Sequence, residues 1–180
     1  MERLKKYFNS AVAVMLLIVT ATMNVACGDD EEDKGESQKV YVKTVKMSAT
    51  VEPTADLLNL ADITLSYTDD QGANVTQAVT SEKQTLNAEI SKFPANGTVT
   101  YTLKLKTNAN IDASKAYKLS SGVKINLTSL MSDGTTGDSY SSGSSSTIDI
   151  SGNKVEEWLS KNAAKTYSVK IDKDVGLPSL

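Results

Sequence analysis

Apolar and polar residues alternate along most of the chain beyond residue 39. In the clearest example, Val99, Tyr101, Leu103 and Leu105 are separated by Thr and Lys residues. Because successive side chains of a strand point to opposite faces, this period of two predicts a strand with one buried and one solvated face. Similar alternation occurs at residues 40–51, 62–80, 86–90, 123–128, 148–150 and 166–172. The sequence therefore predicts an all-β domain of about eight antiparallel strands.

Turn-forming residues separate these strands, as in Asp69-Asp70-Gln71-Gly72 within a predicted hairpin over residues 62–80. Many short antiparallel strands joined by turns form either a β-sandwich or a β-barrel. We favour an immunoglobulin-like sandwich. A lipocalin-like barrel is the alternative, because both architectures produce the same alternation.

One segment between the last two predicted strands has a helical period instead. Trp158 and Leu159 follow Val155 by three and four residues, which places all three on one face of a short amphipathic helix predicted over residues 153–163. Trp158 belongs to the apolar face of this helix. We therefore expect its side chain to fill the core rather than to bind a ligand.

The first 26 residues have the pattern of a secretory signal peptide. Three basic residues precede the nine-residue apolar run from Ala11 to Val19. This run is far shorter than the roughly 18 residues that cross a bilayer as a helix. Cys27, the only cysteine in the chain, follows this segment directly.

The segment Asn24-Val25-Ala26-Cys27, together with the acidic residues after it, resembles the N-terminus of bacteroidete surface lipoproteins. The resemblance implies that Cys27 becomes the lipidated N-terminus of the mature chain, where several acyl chains give stable anchoring. It also implies an acidic export signal that directs the protein to the outer face of the outer membrane. This signal consists of Asp29, Asp30, Glu31, Glu32 and Asp33. A second interpretation is that these like charges form an extended, solvated spacer.

Charge divides the chain into a basic signal peptide (1–26), an acidic tether (27–38) and a single β domain (39–180). Beyond residue 36, 15 Lys residues balance 15 acidic residues, so the domain offers no basic face to nucleic acid. The expected partners are the membrane, through the lipid, and an unidentified protein or glycan. We expect no nucleic acid partner.

The residue types present exclude most catalytic and metal sites. With no His and a single Cys, the chain has no Ser-His-Asp or Cys-His site and no His-ligated zinc. The Asp69–Asp70 pair is interpreted as part of a turn, because solvated carboxylates lack the separated pKa values that acid–base catalysis requires. We therefore expect no enzyme activity, no cofactor and no metal.

Residues 132–147 are rich in Ser and Gly and have no hydrophobic pattern. A connection of this length is unusual in a compact domain, so we expect a loop that is either mobile or functional. Asp133, Asp138 and Tyr140 are its candidate interaction residues, with Tyr140 expected to stand free. The spacing of the two acids does not fit a calcium-binding loop.

These observations together predict a non-catalytic cell-surface lipoprotein whose β-sandwich interacts with a protein or glycan partner. The alternative is a lipid-anchored carrier that binds an apolar small molecule in a β-barrel cavity. A continuous apolar cavity of several hundred cubic ångströms would favour the carrier.

Overall fold

The computed structural model describes residues 39–172 and the backbone of residues 178–179. The predicted signal peptide, Cys27 and the acidic tether lie outside the described residues. The elements in chain order are β1 (Val42–Val51), α1 (Ala55–Leu60), β2 (Ala61–Asp69), β3 (Asn74–Ala78), β4 (Gln84–Ile90), β5 (Ala95–Leu105), β6 (Ala116–Ser121), β7 (Lys124–Met131), β8 (Thr136–Ser142), β9 (Ser146–Ser151), a 3₁₀ helix (Gly152–Lys154), α2 (Val155–Lys161), β10 (Ala164–Ile171) and β11 (Pro178–Ser179).

The strands form three antiparallel sheets. The four-stranded sheet has the order β4-β1-β7-β8, the five-stranded sheet has the order β11-β10-β5-β2-β3, and β6 pairs with β9. The predicted all-β class is confirmed, with more strands than the expected eight. Because the sheets are open, the predicted alternative of a closed, lipocalin-like barrel is wrong.

The two larger sheets share one hydrophobic core. From the four-stranded sheet, β1 contributes alternate residues from Val45 to Val51, and β5 of the five-stranded sheet contributes alternate residues from Val99 to Leu103. All of these core side chains are at most 5% exposed, and full burial of one large aliphatic side chain stabilises the fold by about 1.5–3 kcal/mol. One face of each sheet is therefore apolar and the other is solvated, which is consistent with a two-layer β-sandwich.

The expected loop over residues 132–147 is wrong. Thr136–Ser142 form β8, which pairs with β7, and β9 begins at Ser146. The strand β8 lies at the edge of its sheet and is held by backbone pairing with β7 rather than by a row of apolar side chains. A strand of this kind leaves no alternation in the sequence.

The predicted helix before the last long strand is confirmed as α2, which follows the 3₁₀ helix directly. Val155 and Leu159 are buried, and Trp158 is half-buried against the core. The sequence did not predict α1, a six-residue helix whose Leu57 and Leu60 are buried.

The domain has two ends that the strand directions define. The base end contains the start of β1 and the β7–β8 turn, where Ser132 N–H donates to Tyr41 O at 2.8 Å and Tyr41 N–H donates to Ser132 Oγ at 3.2 Å. The far end contains α1, which follows the last residue of β1. Ten residues of β1 separate the two ends by roughly 30 Å.

Candidate recognition surface

The far end forms where the β1–β2 connection meets the long connection from β5 to β10. Lys118 N–H of β6 donates to Asp56 Oδ2 of α1 at 2.7 Å. Just before α1, Thr54 N–H donates to Ser120 Oγ at 3.0 Å. Thr54 Oγ1 also accepts from Leu57 N–H at 3.3 Å and so caps the helix. These bonds fix α1 against β6.

Further polar contacts tie the ends of the long strands to the same surface. Lys106 Nζ, just after β5, donates to Leu58 O of α1 at 2.6 Å. Lys124 Nζ, at the start of β7, forms an ion pair with Glu52 Oε2 at 2.8 Å. The hydrogen bond and charge of Lys124 lower the pKa of Glu52. The far end is therefore anchored to both large sheets.

The 3₁₀ helix before α2 packs against the loop before β6. Gly152 N–H donates to Lys115 O at 2.7 Å. A Cβ atom at Gly152 would lie 2.0 Å from Asp112 O, so only glycine allows this close approach. In the same loop, Asp112 N–H donates to Tyr117 Oη at 2.8 Å. These close contacts fix the backbone where the 3₁₀ helix meets the loop before β6.

A groove of about 270 Å³ lies between α2 and β9. Trp158 and Ile150 line it together with Lys154, Glu157 and Lys161. Ile148, two residues before Ile150 and on the same face of β9, is 52% exposed. The far end thus carries an apolar strip formed by Ile148, Ile150 and Trp158.

Charged residues of the 3₁₀ helix and of α2 border this apolar strip. Glu157 Oε1 lies 2.7 Å from Lys161 Nζ, and Glu157 Oε2 lies 3.0 Å from Lys154 Nζ. Hydrogen bonds from Lys161 and Lys154 lower the pKa of Glu157 to about 2. The carboxylate therefore remains ionised at neutral pH, and the three charges sum to +1.

A second, polar groove of about 350 Å³ lies between α1 and the start of β6. Asp56 and Asn59 of α1 line one side, and Lys115 and Tyr117 line the other. The far end therefore combines an apolar strip on α2 and β9 with a polar groove beside α1.

The predicted interaction residues lie elsewhere and do not form one loop. Asp133 occupies the β7–β8 turn at the base end, where Thr135 donates to Asp133 Oδ1 from Oγ1 at 2.6 Å and from N–H at 3.0 Å. These two bonds lower the pKa of Asp133. Asp138 is exposed on β8. Tyr140 is half-buried against the core, opposite Leu127, so the expectation that it stands free is wrong.

The Asp69–Asp70 pair has the role in a turn that the sequence indicates. Asp69 Oδ1 accepts from Gln71 N–H at 3.0 Å and from Ala73 N–H at 2.8 Å. Asp70 accepts from Asn96 N–H at 2.9 Å and Asn96 Nδ2 at 2.7 Å, and these bonds lower its pKa. The two carboxylates hold the β2–β3 turn and the start of β5 together.

Sequence reasoning missed the far end because its residues come from separate parts of the chain, 52–60, 106–121 and 146–161. One local signal was present. Thr54 followed by an acidic residue and two leucines is a helix N-terminus pattern, and it marks the start of α1.

Within residues 39–172, no group of three or more acidic or cysteine side chains has an arrangement that could hold a metal ion. In the same part of the chain, no helix is both long enough and apolar enough to span a membrane. The chain matches no model of a protein family, no curated protein and no solved structure.

Proposed function

We propose that this chain is a non-catalytic lipoprotein of the outer membrane, anchored through Cys27 and facing the cell exterior, whose immunoglobulin-like sandwich binds a protein partner through its far end. The observation that carries the proposal is the gathering of two long connections at the end opposite the start of β1. That end lies at the opposite end of the ten-residue strand β1 from its first residue, Val42.

The order of the strands supports the immunoglobulin-like assignment. In that fold, strand B neighbours strand E in one sheet, and strands C, F and G lie together in the other. Here β1 neighbours β4, while β2, β5 and β10 are adjacent in the five-stranded sheet. β3 pairs with β2 in the place of strand C′, and β7 lies beside β1 in the place of strand A.

In immunoglobulin domains, the end that corresponds to the far end has a known binding function. In immunoglobulin variable domains the B–C and F–G loops lie at one end and contact the antigen. The β1–β2 connection corresponds to the first of those loops, and the chain between β5 and β10 leaves β5 at the same end as the second loop but also contains β6 to β9. They build the far end through the Lys118–Asp56 and Thr54–Ser120 hydrogen bonds.

The chemistry of the far end favours a protein partner. Protein interfaces commonly have an apolar centre, in which Trp is enriched, and a polar rim. Ile148, Ile150 and Trp158 supply such a centre, and the α2 charges border it. The apolar groove, about 270 Å³ in volume, is smaller than the roughly 300–1,000 Å³ of pockets that enclose small ligands, and the groove beside α1, about 350 Å³, has a mainly polar lining.

Two further observations support a non-catalytic role and disfavour the carrier. The lowered pKa values of Glu157 and Asp112 make these two carboxylates poor general acids or bases, which require pKa values near the working pH. The carrier alternative requires a closed barrel, and the described sheets are open.

Photo-crosslinking on intact cells tests the far-end proposal. A benzoylphenylalanine placed at Ile148 should give a crosslinked product of discrete mass, and Trp158→Ala should reduce its yield several-fold. The matched control carries the same group at Val75, which is exposed on β3 towards the base end. Equal products from both positions, or no dependence on Trp158, would contradict the proposal.

A further inference from the structure

The outer face of the four-stranded sheet carries two straight rows of polar side chains. The strand register places one residue from each of β4, β1, β7 and β8 in each row. The first row is Asn87, Ser48, Asn126 and Ser141, and the second is Glu89, Lys46, Thr128 and Ser139. Neighbouring strands lie about 4.8 Å apart, so each row spans roughly 14 Å, and the rows are about 6.6 Å apart.

A depression of about 560 Å³ lies over these rows, lined by side chains of β4, β1 and β7. Asn87, Glu89, Lys46 and Asn126 are exposed, and Ser48 is half-exposed. The rows are therefore accessible to a ligand over most of their length.

Two of the residues are unusual choices for a strand. Asn is depleted in β-strands, which favour β-branched and aromatic residues. Nevertheless, Asn87 and Asn126 lie within β4 and β7 on either side of Ser48. The outer face of the five-stranded sheet differs, because there Thr100 and Thr166 supply the β-branched residues that a solvated strand face ordinarily carries. Strand formation therefore does not account for the two amides.

Half of the side chains in the rows make no hydrogen bond within the described part of the chain, and the other half pair between β7 and β8, where Ser139 Oγ donates to Thr128 Oγ1 at 3.4 Å. Ser141 Oγ donates to Asn126 Oδ1 at 2.7 Å, which orients that amide and leaves its Nδ2 hydrogens available. The side chains of Asn87 and Ser48 make no hydrogen bond with another described residue. Lys46 and Glu89 lie directly opposite each other, yet they form no ion pair within the described part of the chain.

The charge and polarity of this face favour some classes of ligand over others. One Lys and one Glu cancel, so the rows have no net charge to attract a phosphate or another polyanion. The large apolar side chains that are exposed in residues 39–172 all lie outside the rows, so the face lacks the apolar anchor of a protein interface. Amides and hydroxyls both donate and accept, as do the hydroxyl groups of sugars.

From the two rows we infer that the outer face of the four-stranded sheet is a binding site for a neutral glycan strand. The amides of Asn87 and Asn126 and the hydroxyl of Ser48 bind its hydroxyl groups, and Lys46 and Glu89 bind on the second row. The site is distinct from the far end and does not depend on the proposed protein partner.

Affinity electrophoresis of the full-length lipoprotein in detergent tests this inference. The probes are neutral polysaccharides (dextran, starch, mannan and xyloglucan) and anionic ones (heparin and polygalacturonate). At least one neutral polysaccharide should retard the protein, and the double variant N87A/N126A should weaken that retardation about tenfold or more. The matched control is T100A/T166A on the five-stranded sheet, which should bind as the wild type does.

Three results would overturn the inference: no retardation by any neutral polysaccharide, equal retardation of N87A/N126A and wild type, or retardation by the anionic probes alone. Thermal unfolding of both double variants checks that they remain folded. Trp158→Ala should leave glycan retardation unchanged, so failure of the far-end proposal and failure of the glycan site can be distinguished.

Discussion

Gly97 of β5 is required by a close contact with Tyr67. A Cβ atom at this position would lie 2.5 Å from Tyr67 Cε2 and 2.6 Å from Tyr67 Oη. The Tyr67 ring is fully buried, and its hydroxyl donates to Asp69 Oδ2 at 3.1 Å, so it has no space into which to move. Burial raises the pKa of Tyr67, which keeps the hydroxyl protonated as a donor.

We expect Gly97→Ala to lower the free energy of unfolding by about 1–3 kcal/mol, the usual cost of overpacking a core. In a strand without this contact, the same change would gain about 0.5–1 kcal/mol. Denaturant unfolding measures the difference. In a Tyr67→Leu background the loss should disappear, and an unchanged loss there would show that the ring is not its cause.

At the residue scale, alternation identifies core residues well where apolar side chains are frequent. Tyr67 and Tyr101 share the parity of apolar neighbours in the sequence, and both are fully buried. Tyr140 has no alternating apolar neighbours in the sequence. The face of the strand on which it lies, and therefore its contact with the core, could not be predicted. A single aromatic residue among Ser and Gly does not establish which face of a strand it belongs to.

At the element scale, the sequence predicts long strands with a buried face and misses elements held by polar contacts. The strands β1, β5 and β10 each have a regular apolar period. By contrast, β6 presents Leu119 and Ser120 as adjacent buried residues. The helix α1 is only six residues long and depends on its Thr54 cap and on bonds to β6. Such short elements are stabilised by tertiary contacts, which a local pattern does not contain.

The charged face of α2 gives a prediction at the same scale. Lys161 and Lys154 lower the pKa of Glu157 from 4.5 to about 2. The pKa of Glu157 is lower in the folded protein than in the unfolded chain, so its interaction with the two lysines stabilises the fold. This contribution is fully present above pH 4.5 and is lost as the pH falls through about 2. An NMR titration of the Glu157 carboxyl group should therefore have its midpoint near pH 2.

Removing the main cause of this shift tests the explanation. Lys161→Met should move the Glu157 midpoint upwards, towards 4.5. The control Lys118→Met removes an exposed lysine of β6, which has no contact with Glu157 among the described interactions, and should leave the midpoint unchanged. A midpoint that is the same in Lys161→Met and wild type would contradict the assigned cause.

At the scale of the whole molecule, the sequence predicts a cellular location, and the folded domain forms the two surfaces that we propose as binding sites. The lipid and export predictions depend on a short N-terminal segment that can be read directly from the sequence. The far end and the two polar rows could not be predicted in this way. Each combines residues from strands or connections that are distant in sequence, and only the sheet order brings them together.

The location can be tested with two sets of variants. Cys27→Ser should move the protein from the membrane fraction to the soluble fraction. Replacing Asp29–Asp33 with alanine should change the protein from accessible to protected when intact cells are treated with protease. Asp138→Ala, which removes one exposed acid of the domain, is the control and should change neither result. Unchanged accessibility of the alanine variant would mean that the acidic run is only a spacer.

The position of β1 between β4 and β7 has a mechanical consequence. The chain enters the domain through β1, and β1 pairs on both sides with antiparallel neighbours. Ladder hydrogen bonds lie perpendicular to the strands, so a pull along the axis of β1 loads two ladders in shear. The bonds then resist together, whereas a strand pulled sideways at the edge of a sheet would unzip one bond at a time. β1 is therefore placed where it resists a pull along its own axis better than an edge strand would.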